Sequence, residues 1–194
     1  MKEINSRNEN RVDSYLEVGR SLIGKNEYHL AINVLTEAIA LDPESALAYE
    51  LRGSAYGQNH DIEAAMADFK MAIQLDDLWA GPYNKMGLAF YDKGLLNEAK
   101  EYYDKAISLA PDVAIFYSNR GLAYYFNGNY ELALSDFNKV IELDPNDAYG
   151  YGFRGEAYAV VDEYHKAYAD LDRAFRLNPK LFSPAEISVG FSLN

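Results

Sequence analysis

YSNRGLAYYFNGNYELALSDFNKVIELDPND, residues 117–147, holds two amphipathic patterns separated by a Gly-Asn turn and closed by Asp-Pro. The surrounding chain repeats it. A shift of thirty-four residues places glycine on glycine at Gly19, Gly53, Gly87, Gly121 and Gly155. An internal repeat of that length decides the architecture before local propensities are considered, because such units cannot bury their apolar faces alone and must stack.

Five units follow from the register: 12–45, 46–79, 80–113, 114–147 and 148–181. Residues 1–11 form a polar leader, expected to fray, and 182–194 form a C-terminal tail. Counting positions within a unit, position four is always tyrosine (Tyr15, Tyr49, Tyr83, Tyr117, Tyr151) and position eight always glycine. Position eleven is Leu22, Tyr56, Phe90, Tyr124 and Tyr158, so positions four, seven, eight and eleven trace one helical face. A second face carries alanine at position twenty (Ala31, Ala65, Ala99, Ala133, Ala167), a large apolar residue at twenty-four, and alanine at twenty-seven except for Val140. Mostly turn-forming residues separate the two faces. Leu-Asp-Pro or a close variant ends four units, since proline disfavours helix in the residue before it. The second unit has Asp77 in its place.

Five glycines at one helical phase imply a steric demand, because each costs roughly 0.5–1 kcal/mol against alanine in a helix. The expectation is that Gly121 faces Ala133 where the two helices cross. A second pattern is read by comparing units. Position seven is Arg52, Arg120 and Arg154 in the units whose position twenty-three is Asp68, Asp136 and Asp170. The other two units carry Val18 with Val34, and Met86 with Tyr102. Polar switches with polar, which predicts an internal Arg–Asp contact between the two helices of each polar unit.

These positions resemble the tetratricopeptide repeat, with tyrosine standing in for the family's tryptophan and the remaining signature positions largely matching. The resemblance covers residues 12–181. It implies an all-α, right-handed α-solenoid of five helix–turn–helix repeats, with first helices lining a concave groove. In the tail, Ser183, Pro184 and Glu186 carry an N-cap and capping-box pattern. A short capping helix is expected from about Pro184 to Val189, with Phe182 and Ile187 packing on the fifth unit.

Composition narrows the function. The net charge of −12, concentrated in the first two units, disfavours a phosphate-backbone partner. There is no cysteine, hence no disulfide or thiolate chemistry. The N-terminal residues lack the apolar stretch of a signal peptide, and no apolar run is long enough to span a membrane. A cytoplasmic protein with no nucleic-acid or membrane partner is expected. No nucleophile elbow, phosphate-binding loop or zincin motif occurs, and His29, His60 and His165 lack ligand spacing. Neither catalysis, nor a metal, nor a cofactor is expected.

In the family's geometry the groove is lined by positions two, five, six, nine, twelve and thirteen. Carried onto this chain, these place Lys85, Leu88 and Tyr91 in the third unit, Asn119, Leu122, Tyr125 and Phe126 in the fourth, and Tyr149 and Phe153 in the fifth. With Ile115, the apolar members would form an exposed patch of the kind that marks interaction sites, with aromatic anchors as hot spots. Lys85 and Asn119 would hold polar or backbone groups. Tyr125, Phe126 and Phe153 have a second reading, as core between repeats. The family's carboxylate clamp for chaperone tails is not matched: with Asn119 in register, its partner positions hold Asn84, Leu88, Tyr149 and Phe153. The asparagine ladder of a family glycosyltransferase is absent too. The expected function is therefore a non-catalytic adaptor binding a peptide or protein segment. Its alternatives are a module that self-assembles through end faces or tail, and a regulatory repeat domain for an enzyme on another chain.

Overall fold

The computed structural model describes residues 2–180, with side chains from residue 10 onward. The described residues are all-α. They form α1 (Lys2–Gly24), α2 (Tyr28–Leu41), α3 (Ala46–Gln58), α4 (Ile62–Leu75), α5 (Ala80–Asp92), α6 (Leu96–Leu109), α7 (Ala114–Phe126), α8 (Tyr130–Leu143), α9 (Ala148–Val160) and α10 (Tyr164–Leu177). The fold is a solenoid of helix–turn–helix repeats. The expected capping helix at Pro184–Val189 lies outside the described residues.

The chain divides into two compact units, Met1–Lys93 and Gly94–Asn194. In the first, each helix packs on the next from α1 to α5, and the first helices of successive repeats also touch, α1 with α3 and α3 with α5. In the second, packing runs in order from α6 to α10, and α7 touches α9. Among the described residues of each unit, the second helices of successive repeats make no such contact. First helices therefore lie closer together than second helices.

The turn inside every repeat is built the same way. Position fifteen has positive φ in all five: Asn26 (62°), His60 (63°), Gly94 (74°), Gly128 (77°) and Asp162 (62°). The chain reverses there by the left-handed helix ending that lets an N–H reach back across the last turn. Glu27 N–H donates to the Leu22 carbonyl, Asp61 to Tyr56, Asn129 to Tyr124 and Glu163 to Tyr158, each at 2.9 Å.

The ends of the second helices explain the missing proline of the second repeat. Asp42, Asp76, Asp144 and Asn178 share position thirty-one, and each side-chain oxygen accepts the N–H two residues on, at 2.9–3.2 Å. This side-chain turn competes with continued helix. It forms at Asp76 although Asp77 stands where proline is found elsewhere. Asp147 then accepts the Tyr149 N–H at 3.0 Å, capping α9.

The glycine expectation needs a correction. A Cβ on Gly121 would lie 2.7 Å from Phe137 Cε1, and the three nearest atoms to it belong to Phe137 and Asp136, not to Ala133. Gly53 likewise faces Phe69 at 2.7 Å, Gly155 faces Leu171 at 2.9 Å, and Gly19 faces Leu35 at 2.6 Å. The glycine makes room for the large residue at position twenty-four. Alanine at position twenty contributes through its backbone, since the Ala65 and Ala167 carbonyls stand 3.1 Å from the same points at Gly53 and Gly155.

Candidate functional site

The Arg–Asp pairs set what polar surface remains on the repeats. Arg52 grips Asp68 with Nε and Nη2, both at 2.8 Å. Arg120 grips Asp136 at 2.8 and 2.6 Å, and Arg154 grips Asp170 at 2.6 and 2.7 Å. All three are bidentate, the strong and geometrically specific form of this contact. Each head also lies 5.5–5.9 Å from the ring centres of the position-four and position-eleven tyrosines of its repeat.

The third nitrogen does something the register comparison missed. Nη1 of Arg52 donates back to Thr36 at 3.2 Å, Arg120 to Asp104 at 2.6 Å, and Arg154 to Asn138 at 2.7 Å. All three acceptors occupy position twenty-five of the preceding repeat. One guanidinium thus ties three helices. Two acidic partners hold the Arg120 guanidinium well above its ordinary pKa, with the Asp136 hydrogen bond the largest cause. Burial pushes the Asp136 carboxyl above its usual range, against the pull of Arg120. The signal was present in the sequence: position twenty-five is an acceptor before every arginine-bearing repeat and Lys70 before the repeat that carries Met86. These groups face one another and are structural.

On the first helices of the second unit, the expected site residues divide by burial. Phe126 is 61% exposed and Tyr149 49%. Tyr125, Phe153 and Leu122 are half-buried, packed against a cluster of Ala133, Phe137 and Ala157. Asn119 is buried at 8% exposure. Rings connect these levels. Tyr125 meets Phe126 edge-on with centres 5.3 Å apart, Phe153 lies 5.8 Å from Phe137, and Tyr149 stacks on Phe153 at 6.1 Å. The aromatic surface therefore has half-buried members, Tyr125 and Phe153, and exposed ones, Phe126 and Tyr149. Burial, and then the charge of Glu156, raises the Tyr125 phenol above its ordinary pKa.

In the first unit, Lys85, Leu88 and Tyr91 lie on α5 and are half-buried. Burial also raises the Tyr91 phenol. Lys85 and Leu88 line a cavity of about 550 Å³ between α3, α4 and α5. Its floor is Ala65, Phe69 and Ala89, and its rim includes Ser54, Gln58 and Asp92. Sequence reading did not find this cavity. Its cause is Gly57 at position twelve, where a Cβ would meet only Ala65 Cβ at 3.8 Å. Unlike Gly53, this glycine fills no close crossing.

No group of three or more His, Asp or Glu side chains placed to hold a metal ion occurs among the described residues. None of their helices is long and apolar enough to cross a membrane.

Family models described as tetratricopeptide repeat match residues 114–147 and 46–77, and one described as TPR repeat matches 19–60 and 87–128. No curated protein matches the sequence. Among solved structures, MamA is similar with 22% identity and a TM-score of 0.74, over 84% of this chain and 96% of that one. YrrB, described as a TPR protein with an unusual peptide-binding site, has 23% identity and a TM-score of 0.68, over 92% of each chain. The pilF protein of Pseudomonas aeruginosa has 18% identity and a TM-score of 0.81, over 94% of this chain and 90% of that one. At these identities the likeness is one of fold.

Proposed function

Because the chain belongs to the tetratricopeptide-repeat family, we propose that it is a non-catalytic adaptor that binds a peptide or protein segment along its first helices. The observation that carries this reading is the aromatic surface of α7 and α9. Phe126 and Tyr149 are large, exposed and contiguous with rings anchored in the core. Rigid aromatic side chains of this kind are typical anchors of binding energy. Two further observations support it. Successive first helices lie closer together than second helices within each unit, which is the packing of an inward-curving face. The strong polar groups of the repeat, three arginines and three aspartates, satisfy one another in bidentate pairs, which leaves the aromatic rings as the anchors of that face. A protein of the same fold, YrrB, is described as having an unusual peptide-binding site, which supports peptide binding as a role for this fold.

The test is affinity capture with Phe126→Ala/Tyr149→Ala against the unaltered protein, followed by titration of the captured polypeptide as a purified segment. These two positions are chosen over Tyr125 because Tyr125 is rooted in the Phe137 cluster. Loss of binding by tenfold or more, with unchanged helicity, is expected. Equal affinity of the two proteins would overturn the assignment of this face.

A further inference from the structure

The cavity beside Gly57 is one that the same protein fills elsewhere with its own side chain. Two repeats on, Gly57 corresponds to Tyr125, and the cavity floor of Ala65, Phe69 and Ala89 corresponds to Ala133, Phe137 and Ala157. There Tyr125 and Phe153, the counterpart of Lys85, are both partly buried against the cluster that those three residues form. In the first repeat the same position is Ile23, which also packs on its local core. The second repeat alone among these lacks a side chain at that place, and the space stays open to solvent over an apolar floor.

Nothing in the local backbone demands the glycine. Gly57 is helical, has no positive φ, and its surroundings would accept a Cβ at ordinary contact distance. The consequence is a cavity of about 550 Å³, within the roughly 300–1,000 Å³ of natural ligand sites. That is more than one ring occupies, so the chain bearing the ring can enter with it. Polar groups stand at the rim, with Lys85 and Asp92 of opposite charge and Gln58 beside them.

We propose that this cavity receives an aromatic side chain, a tyrosine or phenylalanine, from a partner polypeptide, seated as Tyr125 is seated in its own repeat. The phenyl ring lies on Phe69, Ala65 and Ala89, and a phenol oxygen reaches the polar rim. The residues flanking that ring are cationic, because the cavity's own charges balance while the first two repeats hold most of the chain's negative charge. The identity of the ligand as a polypeptide rests on the adaptor reading above. The ring preference rests on the cavity itself.

The experiment uses the full chain and three blocked tripeptides, Lys-Tyr-Lys, Glu-Tyr-Glu and Lys-Leu-Lys, titrated while amide NMR signals are followed. Lys-Tyr-Lys is expected to shift Gly57, Leu88 and Ala89 saturably. Lys-Leu-Lys should bind at least tenfold more weakly, and Glu-Tyr-Glu at least fivefold more weakly at low salt. Gly57→Tyr should abolish the shifts without lowering the melting temperature, since it reproduces the filled arrangement of Tyr125. Three results overturn the proposal: no saturable shift with Lys-Tyr-Lys, equal binding of Lys-Leu-Lys, or undiminished binding by Gly57→Tyr. Equal binding of Glu-Tyr-Glu overturns the charge preference. Phe126→Ala/Tyr149→Ala leaves the tripeptide response unchanged, which keeps the two readings separable. If that variant loses partner capture and Gly57→Tyr retains it, the cavity is not used by the adaptor. If tripeptides bind but no polypeptide is captured, the adaptor reading fails and the ring site stands.

Discussion

Replacing Asp136 by alanine strands the Arg120 guanidinium, and the cost can be bounded from its surroundings. The carboxylate is 6% exposed and accepts two charge-assisted hydrogen bonds of 2.8 and 2.6 Å, and the arginine side chain is 20% exposed. Removing one partner of a buried pair costs about 3–5 kcal/mol. Arg120 keeps its bond to the exposed Asp104 carboxylate, which places Asp136→Ala at the lower end, about 3 kcal/mol. Arg120→Met should cost at least as much, because Asp136 has no other partner of that charge within reach among the contacts described. The third repeat supplies a control of natural design, with Met86 and Tyr102 at the same two positions. Arg120→Met/Asp136→Tyr should therefore lie within about 1 kcal/mol of the unaltered protein, since an apolar replacement of both partners is often neutral or better. Urea unfolding followed by circular dichroism, on the unaltered protein, Arg120→Met, Asp136→Tyr (which strands Arg120 as Asp136→Ala does) and the double variant, gives the cycle. The singles should exceed the double, with a coupling of at least about 2 kcal/mol. Additivity within about 0.5 kcal/mol would refute the claim that these groups act as one unit.

Other outcomes follow from the same geometry. Gly53→Ala and Gly57→Ala, four residues apart on one helix, should move the melting temperature in opposite directions. The first forces a Cβ to 2.7 Å from the buried Phe69 ring and lowers stability, by about 1–3 kcal/mol. The second meets nothing closer than 3.8 Å and raises stability, by about 0.5–1 kcal/mol. Asp104→Ala removes only the link between repeats at a carboxylate that is 56% exposed, so its unfolding free energy should fall by no more than about 1 kcal/mol. Gly150→Ala should cost about 1–3 kcal/mol in the same denaturation assay, because its Cβ would stand 2.8 Å from Val140 Cγ1 in a packed crossing. Gly150→Ala/Val140→Ala, the pairing that Ala48 and Ala38 make earlier in the chain, should recover part of that loss.

Much of the molecule was legible because a repeated chain compares itself. The phase of the repeat glycines placed the close crossings at Gly19, Gly53, Gly121 and Gly155, and the joint switching of positions seven and twenty-three placed the Arg–Asp pairs to the correct residues. What failed was the partner across the crossing. Periodicity says which residues share a helix face, but it does not say how deep a side chain reaches, so Gly121 was set against Ala133 when the Phe137 ring occupies the space. Val140 illustrates the same limit. Its departure from alanine was visible, yet its compensation by Gly150, on the next helix, depends on how two helices cross. The acceptor at position twenty-five was legible in principle and overlooked, since Lys70 interrupts it only where arginine is absent from the following repeat.

The candidate site was read in part. Register and family resemblance brought Tyr125, Phe126, Tyr149 and Phe153 forward together, and left open which of them serve the core. That division is a matter of helix rotation by a few tens of degrees, which no spacing encodes. It leaves Phe126 and Tyr149 about half exposed or more while Tyr125 and Phe153 pack against the Phe137 cluster. The cavity at Gly57 is the sharper case. In the sequence it is one more glycine on a glycine-rich helix, four residues beyond an invariant one. Sequence alone determined the repeat, its length, its helix faces and its ion pairs, because those are periodic properties of one strand of residues. Tertiary structure alone decided which glycine fills a crossing and which leaves a hole, because a void is defined by the atoms of three helices and not by the residue that is missing.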